Sequence, residues 1–365
     1  MENPFKFGTI VDGSYFTDRV EEQEKVKQVI SSENHLILIS PRRFGKTSLV
    51  QKVMKSLERP VFQLNLQLVT DTEDFAAHLL KLVLRKYPME RLKHLISHFR
   101  FIPTISTNPM TDGIELSFQP SVDSFVLLED VFILIDKIGE RGEKPVVVLD
   151  EFQEIKALDK NLDKKMRSIL QLHSHVNYVF LGSQESMMEE IFEKKKSPFY
   201  HFGYLMKLDK IPYDDFLVFL KKGFCELGEK TEVENVSREI LAFTRCHPYY
   251  TQQLAFQVWT LWLQKGYMDT LVADASLLLT QVHDMDYERL WATFNRTDKK
   301  VLIGLNMNFG SPTSLSFLRN QGIESSSTAF SSLKRLSKLG YVIKNDVYEI
   351  CLLYTSPSPR DMRRS

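Results

Sequence analysis

Short apolar runs and amphipathic segments alternate along the first part of the chain. Runs rich in Val, Ile, Leu and Phe predict buried strands at 35–40, 61–68, 145–149 and 178–181. Apolar residues at helical spacing predict helices at 45–57, 73–100 and 122–140. Two extended pieces around a turn predict a hairpin insertion at about 101–120. Strands that alternate with helices indicate an α/β fold, with a parallel sheet covered by helices on both faces.

The remainder of the chain has a different pattern. Helical patterns alone follow residue 211, and from Asp298 three short helical patterns precede two strands. Three helices followed by a hairpin are the winged-helix arrangement. We therefore expect a core at 1–211, a helical domain at 212–290 and a winged-helix domain at 291–350.

Composition narrows the class of protein. The 365 residues are 43% hydrophobic and 26% charged, which excludes disorder, collagen or a coiled coil as a description of the whole chain. Lys plus Arg and Asp plus Glu both total 47, which disfavours a globally basic nucleic-acid binder. Three Cys argue against a disulfide framework. No apolar run reaches the roughly 18 residues of a membrane span, and the N-terminus lacks signal-peptide features. We expect a cytoplasmic protein without membrane contact.

The last segment, 351–365, breaks the preceding pattern. It is rich in Ser, Pro and Arg, and Leu352 to Ser356 matches the translation of a transposon-type sequencing adaptor. We expect this tail to be non-native and the native C-terminus to be missing, so the tail is excluded from the fold prediction.

A phosphate-binding loop is predicted between the first strand and its following helix. The segment nearly fits the P-loop pattern, with Ser40 where the first Gly is usual: Ser40-Pro41-Arg42-Arg43-Phe44-Gly45-Lys46-Thr47-Ser48. Backbone N–H groups in such a loop turn inward around a phosphate, and the helix N-terminus adds positive potential. Lys46 is expected to reach the β- and γ-phosphates, and the Thr47 hydroxyl to ligate Mg²⁺. The alternative is a surface turn with a chance Gly-Lys-Thr sequence.

Paired carboxylates follow the most apolar strand. Asp150 and Glu151 come directly after Val146–Leu149, and the carboxyl ends of parallel strands gather at one edge of a sheet, where ligands bind. We expect Asp150 to hold Mg²⁺, directly or through water, and Glu151 to polarise the water that attacks the γ-phosphate. The alternative is that this pair only caps the next helix.

A polar pair follows the strand at 178–181. Ser183, or secondarily Gln184, is expected to sense the γ-phosphate or to position water. The alternative is an ordinary helix N-cap.

At these motifs the sequence resembles a prokaryotic, archaeal-type family of P-loop ATPases that is related to the AAA+ class and close to the STAND signalling ATPases. The resemblance covers roughly 4–350, and it is carried most specifically by 41–47, 149–153 and 182–183. Two N-terminal pieces, 5–8 and 16–22, are also family-like. The resemblance implies that this segment, which includes Arg19, lies beside the adenine base.

A second family-like motif is His247-Pro248-Tyr249-Tyr250 followed by Gln252-Gln253-Leu254. It resembles the motif of the helical lid domain in this family, where the Pro, here Pro248, helps to fix the nucleotide base. From the residues alone, the same motif is also compatible with a simple helix start, because Pro suits the first turn.

One departure from the family concerns catalysis. Many relatives carry an Arg shortly after the Ser-Pro that follows the sensor strand, whereas 197–211 contains none. Lys207 and Lys210 are poor substitutes for a planar bidentate donor. A nucleotide-gated switch with slow turnover is therefore favoured over fast hydrolysis by a ring.

The sequence of the winged-helix domain is compatible with more than one kind of partner. Its last helix is expected to expose hydroxyl and cationic side chains that suit phosphate contacts: Ser326, Ser327, Ser331, Lys334, Arg335 and Lys338. A protein-interaction module is the alternative, since STAND-like relatives often use this module to lock the nucleotide site.

The sequence thus predicts an ATP-binding, Mg²⁺-dependent ATPase that acts as a switch through domain closure, with DNA, a protein or further copies of itself as candidate partners. The alternative is a winged-helix DNA-binding regulator with a vestigial nucleotide site. A small-molecule kinase is a weaker third interpretation, because the long helical segment and the winged helix do not favour it.

Overall fold

The computed structural model describes residues 1–11, 13–17, 19–100, 104–108, 113–117, 123–142, 144–307, 309–339, 341–344 and 347–350. The tail at 351–365 and the turn of the predicted hairpin lie outside the described residues. The chain forms two compact units. We call 20–40 with 49–208 the sheet unit, and 1–19 with 41–48 and the chain from 209 onward the helical unit.

The strands, in chain order, are β1 Leu36–Ile39, β2 Val61–Asn65, β3 Thr104–Asn108, β4 Gly113–Ser117, β5 Val146–Asp150, β6 Asn177–Gly182, β7 Tyr204–Lys207, β8 Val342–Lys344 and β9 Tyr348–Ile350. Five of them form the sheet of the sheet unit, in the order β2-β5-β6-β1-β7. All four neighbouring pairs are parallel, as predicted. β3 and β4 pair antiparallel as the predicted hairpin.

The helices of the described residues are α1 Val20–Ser31, α2 Lys46–Ser56, α3 Thr72–Lys86, α4 Met89–Ile96, α5 Ser124–Glu140, α6 Ile155–Leu158, α7 Leu162–Leu170, α8 Glu185–Phe192, α9 Tyr213–Phe224, α10 Lys230–Thr244, α11 Pro248–Lys265, α12 Leu271–Thr293, α13 Arg296–Asn306, α14 Leu315–Gln321 and α15 Ser326–Lys338. None of them combines the length and apolar character that crossing a membrane requires.

The central strands carry the core of the sheet unit. Every residue of β1, β5 and β6 is buried, so both faces of the sheet are covered, as continuous apolar strands require. Helices α3 and α5 contribute Phe75 and Phe132, whose ring centroids lie 6.0 Å apart. Phe132 also contacts Tyr178 of β6, at 6.0 Å between centroids.

The structure corrects two predicted elements and adds a strand. The strand predicted at 61–68 ends at Asn65, because the Asn65 side chain accepts a hydrogen bond from the Gln67 N–H at 2.9 Å and starts a short 3-10 helix. The helix predicted at 73–100 is two helices, because Pro88 lacks an N–H and disfavours helical conformation at Tyr87. Strand β7 was not predicted: it pairs with β1 at the sheet edge and exposes Tyr204 and Lys207.

A part-buried network of polar contacts joins the amino ends of strands β5 and β6 to the carboxyl end of α1. The Arg59 guanidinium donates to the carbonyl oxygens of Ile30 and Lys144 and to the side-chain oxygen of Asn177. The Asn177 amide in turn donates to the carbonyl oxygens of Ser32 and Asn34, both at 2.9 Å. These bonds satisfy main-chain groups that would otherwise be costly to bury.

The helical unit has two cores. Helices α9 to α12 surround Phe216, Phe224 and Trp262. The second core joins α13, α14 and α15 to β8, which pairs antiparallel with β9. Three helices and a hairpin therefore form at the predicted positions.

The imidazole of His35 makes the sheet unit sensitive to acid. Its Nδ1 accepts a hydrogen bond from the Tyr178 N–H at 3.2 Å, and its ring packs on Phe202 with centroids 4.6 Å apart. Burial, reinforced by Lys144 and Arg167, lowers the pKa of His35 to about 4. The unfolded chain therefore binds a proton between pH 6.5 and about 4 that the folded chain does not.

We expect the free energy of unfolding to fall over this window, by at most about 3 kcal/mol from this group. His35→Asn keeps an acceptor near the Nδ1 position and removes the titration, so its stability should depend less on pH. Urea unfolding at pH 7 and pH 4.5 measures this, with the exposed His201→Asn as control. An equal pH dependence in wild type and His35→Asn would contradict the assignment.

Candidate nucleotide-binding site

The P-loop backbone turns through the left-handed region before α2 begins at Lys46. Arg43 has φ 67° and Gly45 has φ 87°. A Cβ built on Gly45 meets nothing within 4 Å, so the backbone conformation rather than crowding favours glycine there. This turn leads into the helix N-terminus, where N–H groups and the helix dipole favour an anion. Lys46 at this end is 7% exposed.

The P-loop opens onto a cavity of about 550 Å³ in the helical unit. This volume is in the range of small-ligand sites. Three stretches of chain line the cavity: residues 6–11 with 16, 17 and 19; residues 43–48; and Ile211, Pro248, Tyr249 and Gln252. The cavity therefore joins an anion-binding helix end to a largely apolar wall.

The N-terminal segment is fixed to the helices of this unit. The Asn3 amide donates to the Phe256 carbonyl at 3.0 Å and to the Thr260 hydroxyl at 3.2 Å, both on α11. Phe5 is 2% exposed and packs against Phe224 of α9, with centroids 4.8 Å apart. These anchors hold the start of the chain beside the cavity.

Another part of the cavity wall comes from the start of α11. The Arg43 guanidinium lies 4.4 Å from the ring centroid of Tyr249, and Phe7 meets the same ring edge-on at 6.0 Å. A cation over an aromatic face is attractive. Arg245 and Cys246, which join α10 to α11, both have positive φ, at 51° and 58°, so the start of α11 is set by an unusual backbone turn.

His247 lies behind this wall. Its ring packs against Phe44 of the P-loop at 5.0 Å between centroids, and its buried Nδ1 has no hydrogen-bond partner among the described residues. Burial, with Lys210 and Arg43 nearby, lowers the pKa of His247 to about 3. The imidazole is therefore neutral at physiological pH and acts as packing for the P-loop.

Arg19 is 3% exposed and braces the P-loop from the N-terminal side. Its guanidinium donates to the Asp209 carbonyl at 2.6 Å and approaches the Phe44 carbonyl at 3.4 Å. Arg19 directly precedes α1, and its backbone is left-handed, with φ 69°.

The acidic strand end forms a separate cluster in the sheet unit. Leu149 of β5 is level with Phe180 of β6, so Glu151 and Ser183 leave the same edge of the sheet. The Ser183 hydroxyl donates to Glu151 Oε2 at 2.6 Å, and the Gln153 amide donates to the same oxygen at 2.6 Å. Glu151 has a left-handed φ of 53° and makes no side-chain cap bond.

The predicted residues divide into three groups. Those that line the cavity are Arg19, Arg43, Phe44, Gly45, Lys46, Thr47, Ser48 and Pro248. Those that do not line it are Ser40, Pro41 and Arg42, and the Ser40 N–H donates to the Gly182 carbonyl at 3.2 Å. Asp150, Glu151 and Ser183 gather at the sheet edge. Gln184, the second choice to Ser183, occupies the N-cap position of α8 without a side-chain cap bond.

Sequence reasoning did not single out several residues of the cavity wall. Ile10, Val11 and Ile211 line the cavity, although they lie outside any regular apolar pattern. The sequence feature that indicates a role in a cavity wall is the occurrence of apolar residues in a segment without helical or strand periodicity.

The sequence matches a family of known proteins. The family described as an ATPase domain predominantly from Archaea matches residues 16–254. The chain belongs to this family. The matched range of the archaeal-type ATPase includes the P-loop, the whole sheet and the beginning of α11.

Individual relatives of this archaeal-type ATPase are distant. An uncharacterized ATP-binding protein of Pyrococcus abyssi is 28% identical over 197 residues, which cover 49% of this chain and 57% of the relative. One from Methanocaldococcus jannaschii is 27% identical over 168 residues, covering 42% of this chain and 46% of the relative. The chain thus spans about half the length of these relatives.

Solved structures share the fold of this archaeal-type ATPase. A Walker-type ATPase of Pyrococcus abyssi superposes with a TM-score of 0.67 at 17% identity, over 93% of this chain and 95% of the other. The Aeropyrum pernix ORC2 protein in its ADPNP–ADP complexes gives a TM-score of 0.59 at 14% identity, over 98% and 96% of the two chains.

Gly223 tests the anchoring of the N-terminal segment. A Cβ there would lie 2.3 Å from Phe5 Cζ, so Gly223→Ala must displace the ring, although Ala is otherwise the better residue inside α9. We expect a loss of stability of about 1–3 kcal/mol and faster tryptic cleavage after Lys6. Gly142→Ala is the control, because its Cβ would meet only the Ile138 carbonyl at 3.9 Å. Unchanged cleavage after Lys6 would show that Phe5 does not anchor the segment.

Proposed function

We propose that this protein binds ATP with Mg²⁺ and hydrolyses it slowly, as a nucleotide-dependent switch. The observation that carries the proposal is a cavity lined by residues 43–48, by the N-terminal segment and by Pro248. The P-loop end suits the phosphates, and the apolar wall of Ile10, Val11 and Tyr249 suits a base. Relatives described as ATP-binding proteins support adenine as that base.

The phosphate end of the site uses the P-loop. Backbone N–H groups at the start of α2 would bind the phosphate oxygens, and the Lys46 ammonium would neutralise charge on the β- and γ-phosphates. Lys46 is nearly buried beside Arg43 and Ser48, where a charge contact is stronger than in water.

The residues present fit Mg²⁺ by their chemistry. Thr47 offers a hydroxyl on the cavity wall, and Asp150 offers a carboxylate that is 6% exposed and accepts the Glu151 N–H at 2.9 Å. Hard oxygen donors of this kind are the ligands that Mg²⁺ prefers. Bound there, the ion would neutralise phosphate charge.

Glu151 is the proposed general base. The water that attacks the γ-phosphorus would give its proton to this carboxylate, as ADP leaves. Ser183 and Gln153 both donate to Oε2, and these bonds would orient the carboxylate toward the water. In this proposal Ser183 is a positioning residue that acts through Glu151.

Slow turnover follows from the missing arginine. The segment 197–211 holds two lysines instead, and Lys207 already pairs with Glu189, at 2.7 Å between Nζ and Oε1. Without an arginine from this segment, the transition state lacks one source of charge stabilisation. We also propose that a core at 1–211 and a helical lid at 212–290 close around the nucleotide and reopen after hydrolysis.

The module at 291–350 is proposed to be a winged helix that couples the switch to a partner. Ser327, Ser331, Lys334 and Lys338 are exposed along α15, which favours a phosphate-bearing partner such as DNA over an apolar one. Arg335 is also exposed, but it pairs with buried Asp298 of α13, so it contributes to the module's own stability.

Two substitutions separate binding from hydrolysis. Lys46→Ala should abolish ATP binding measured by calorimetry, because it removes the cation from the phosphate site, whereas Lys55→Ala at the exposed end of α2 should bind normally. Glu151→Gln should bind ATP as wild type does and lose at least about 100-fold in turnover. If Lys46→Ala bound ATP as tightly as wild type, the proposal would be wrong.

The role of Ser183 is tested by kinetics. Ser183→Ala should lower kcat about tenfold with KM nearly unchanged, because Glu151 loses the positioning bond from the Ser183 hydroxyl. Ser183→Thr keeps the hydroxyl and should recover most of the rate. If Ser183→Ala instead raised KM with kcat intact, Ser183 would contact the nucleotide rather than Glu151.

A further inference from the structure

A buried carboxamide closes the N-terminal segment into a loop. Gln252 of α11 is 6% exposed. Its Oε1 accepts a hydrogen bond from the Lys6 N–H at 3.1 Å, and its Nε2 donates to the Tyr15 carbonyl at 2.9 Å. One side chain therefore holds both ends of residues 6–15, which we call the N-terminal arch.

The arch depends on such bonds because its backbone is irregular. Apart from the short 3-10 helix at Gly13–Tyr15, its described residues form no helix or strand. Gly8 and Gly13 have positive φ, at 77° and 56°. A segment of this kind gains its conformation from side-chain bonds to its main chain.

The arch is also the wall against which the base would lie. Residues 6–11 line the cavity, and Gln252 itself reaches its surface. The phosphate side is built differently, by the φ values of Arg43 and Gly45 and by the start of α2. The two bonds of Gln252 therefore hold the arch side of the cavity and not the phosphate side.

We infer that Gln252 is a positioning residue for the nucleotide base: it fixes the arch on α11, and it contributes to affinity only for ligands that carry a base. The inference rests on the proposed ATP binding. It also implies that a base in the arch stabilises α11 more than a bare phosphate chain can.

The expected loss is partial. A buried hydrogen bond that is lost and leaves its partner unsatisfied weakens the structure by about 1–3 kcal/mol. The arch keeps other ties, among them the bond from the Val11 N–H to the Ser48 hydroxyl at 3.2 Å and the edge-on contact of Phe7 with Tyr249 at 6.0 Å between centroids. We therefore expect a weakening of ATP binding of about tenfold or more, rather than its complete loss.

The experiment compares ATP with tripolyphosphate, each with Mg²⁺, by calorimetry on the full chain. Gln252→Met removes both bonds at similar volume. Gln252→Glu keeps the acceptor for Lys6 N–H and loses the donor to Tyr15. Both variants should bind ATP at least about tenfold more weakly and tripolyphosphate as tightly as wild type. Gln264→Met makes the same change at the exposed end of α11 and should bind both ligands normally.

Thermal unfolding gives a second readout. At equal free ligand concentration, ATP should raise the Tm of wild type more than tripolyphosphate does, because it binds more tightly, and this difference should shrink in Gln252→Met. Wild-type affinity for ATP in both Gln252 variants would overturn the inference, and so would an equal loss of ATP and tripolyphosphate. Failure of wild type to bind ATP at all would instead overturn the proposed function, and the inference with it.

Discussion

The candidate site depends on a backbone constraint at one short loop. Between the buried strand β1 and helix α2, the chain passes through the left-handed region at Arg43 and Gly45. Such conformations are unfavourable for most residues and persist where the surroundings hold them. Here the surroundings are Arg19, which bonds to the Phe44 carbonyl, and His247, whose neutral ring packs on Phe44. These contacts hold the loop from both sides where residues 43–48 line the cavity.

The sheet places the acidic cluster by register alone. Parallel pairing sets Leu149 level with Phe180 and Ile39 level with Gly182, so the ends of β1, β5 and β6 share one edge. Glu151 leaves that edge in a left-handed conformation, which lets two donors reach a single carboxylate oxygen. A one-residue slip between β5 and β6 would move Ser183 away from Glu151 and undo this arrangement.

The sequence predicted what local chemistry determines. The buried strands followed from runs such as 145–149, and the P-loop from Gly45, Lys46 and Thr47 between a strand and a helix. Strand β7 was not predicted because an edge strand need not be continuously apolar, and Tyr204 and Lys207 are exposed to solvent. The partner of Ser183 was also missed, because the reach of its hydroxyl to Glu151 follows from strand register and not from its neighbours in sequence.

Long-range contacts were the hardest to predict. Gln252 and Lys6 are 246 positions apart, and no periodicity links them. The family resemblance drew attention to Pro248 and to the N-terminal segment, but it did not indicate which side chain joins them. Burial of a polar side chain with both ends bonded is a property of the folded chain.

The most direct measurement is a crystal structure of the full chain with a non-hydrolysable ATP analogue and Mg²⁺. The account predicts the triphosphate at residues 45–48, with the base between the N-terminal arch and the Pro248–Tyr249 start of α11. A nucleotide ordered anywhere else, or one whose phosphates do not contact the start of α2, would contradict it.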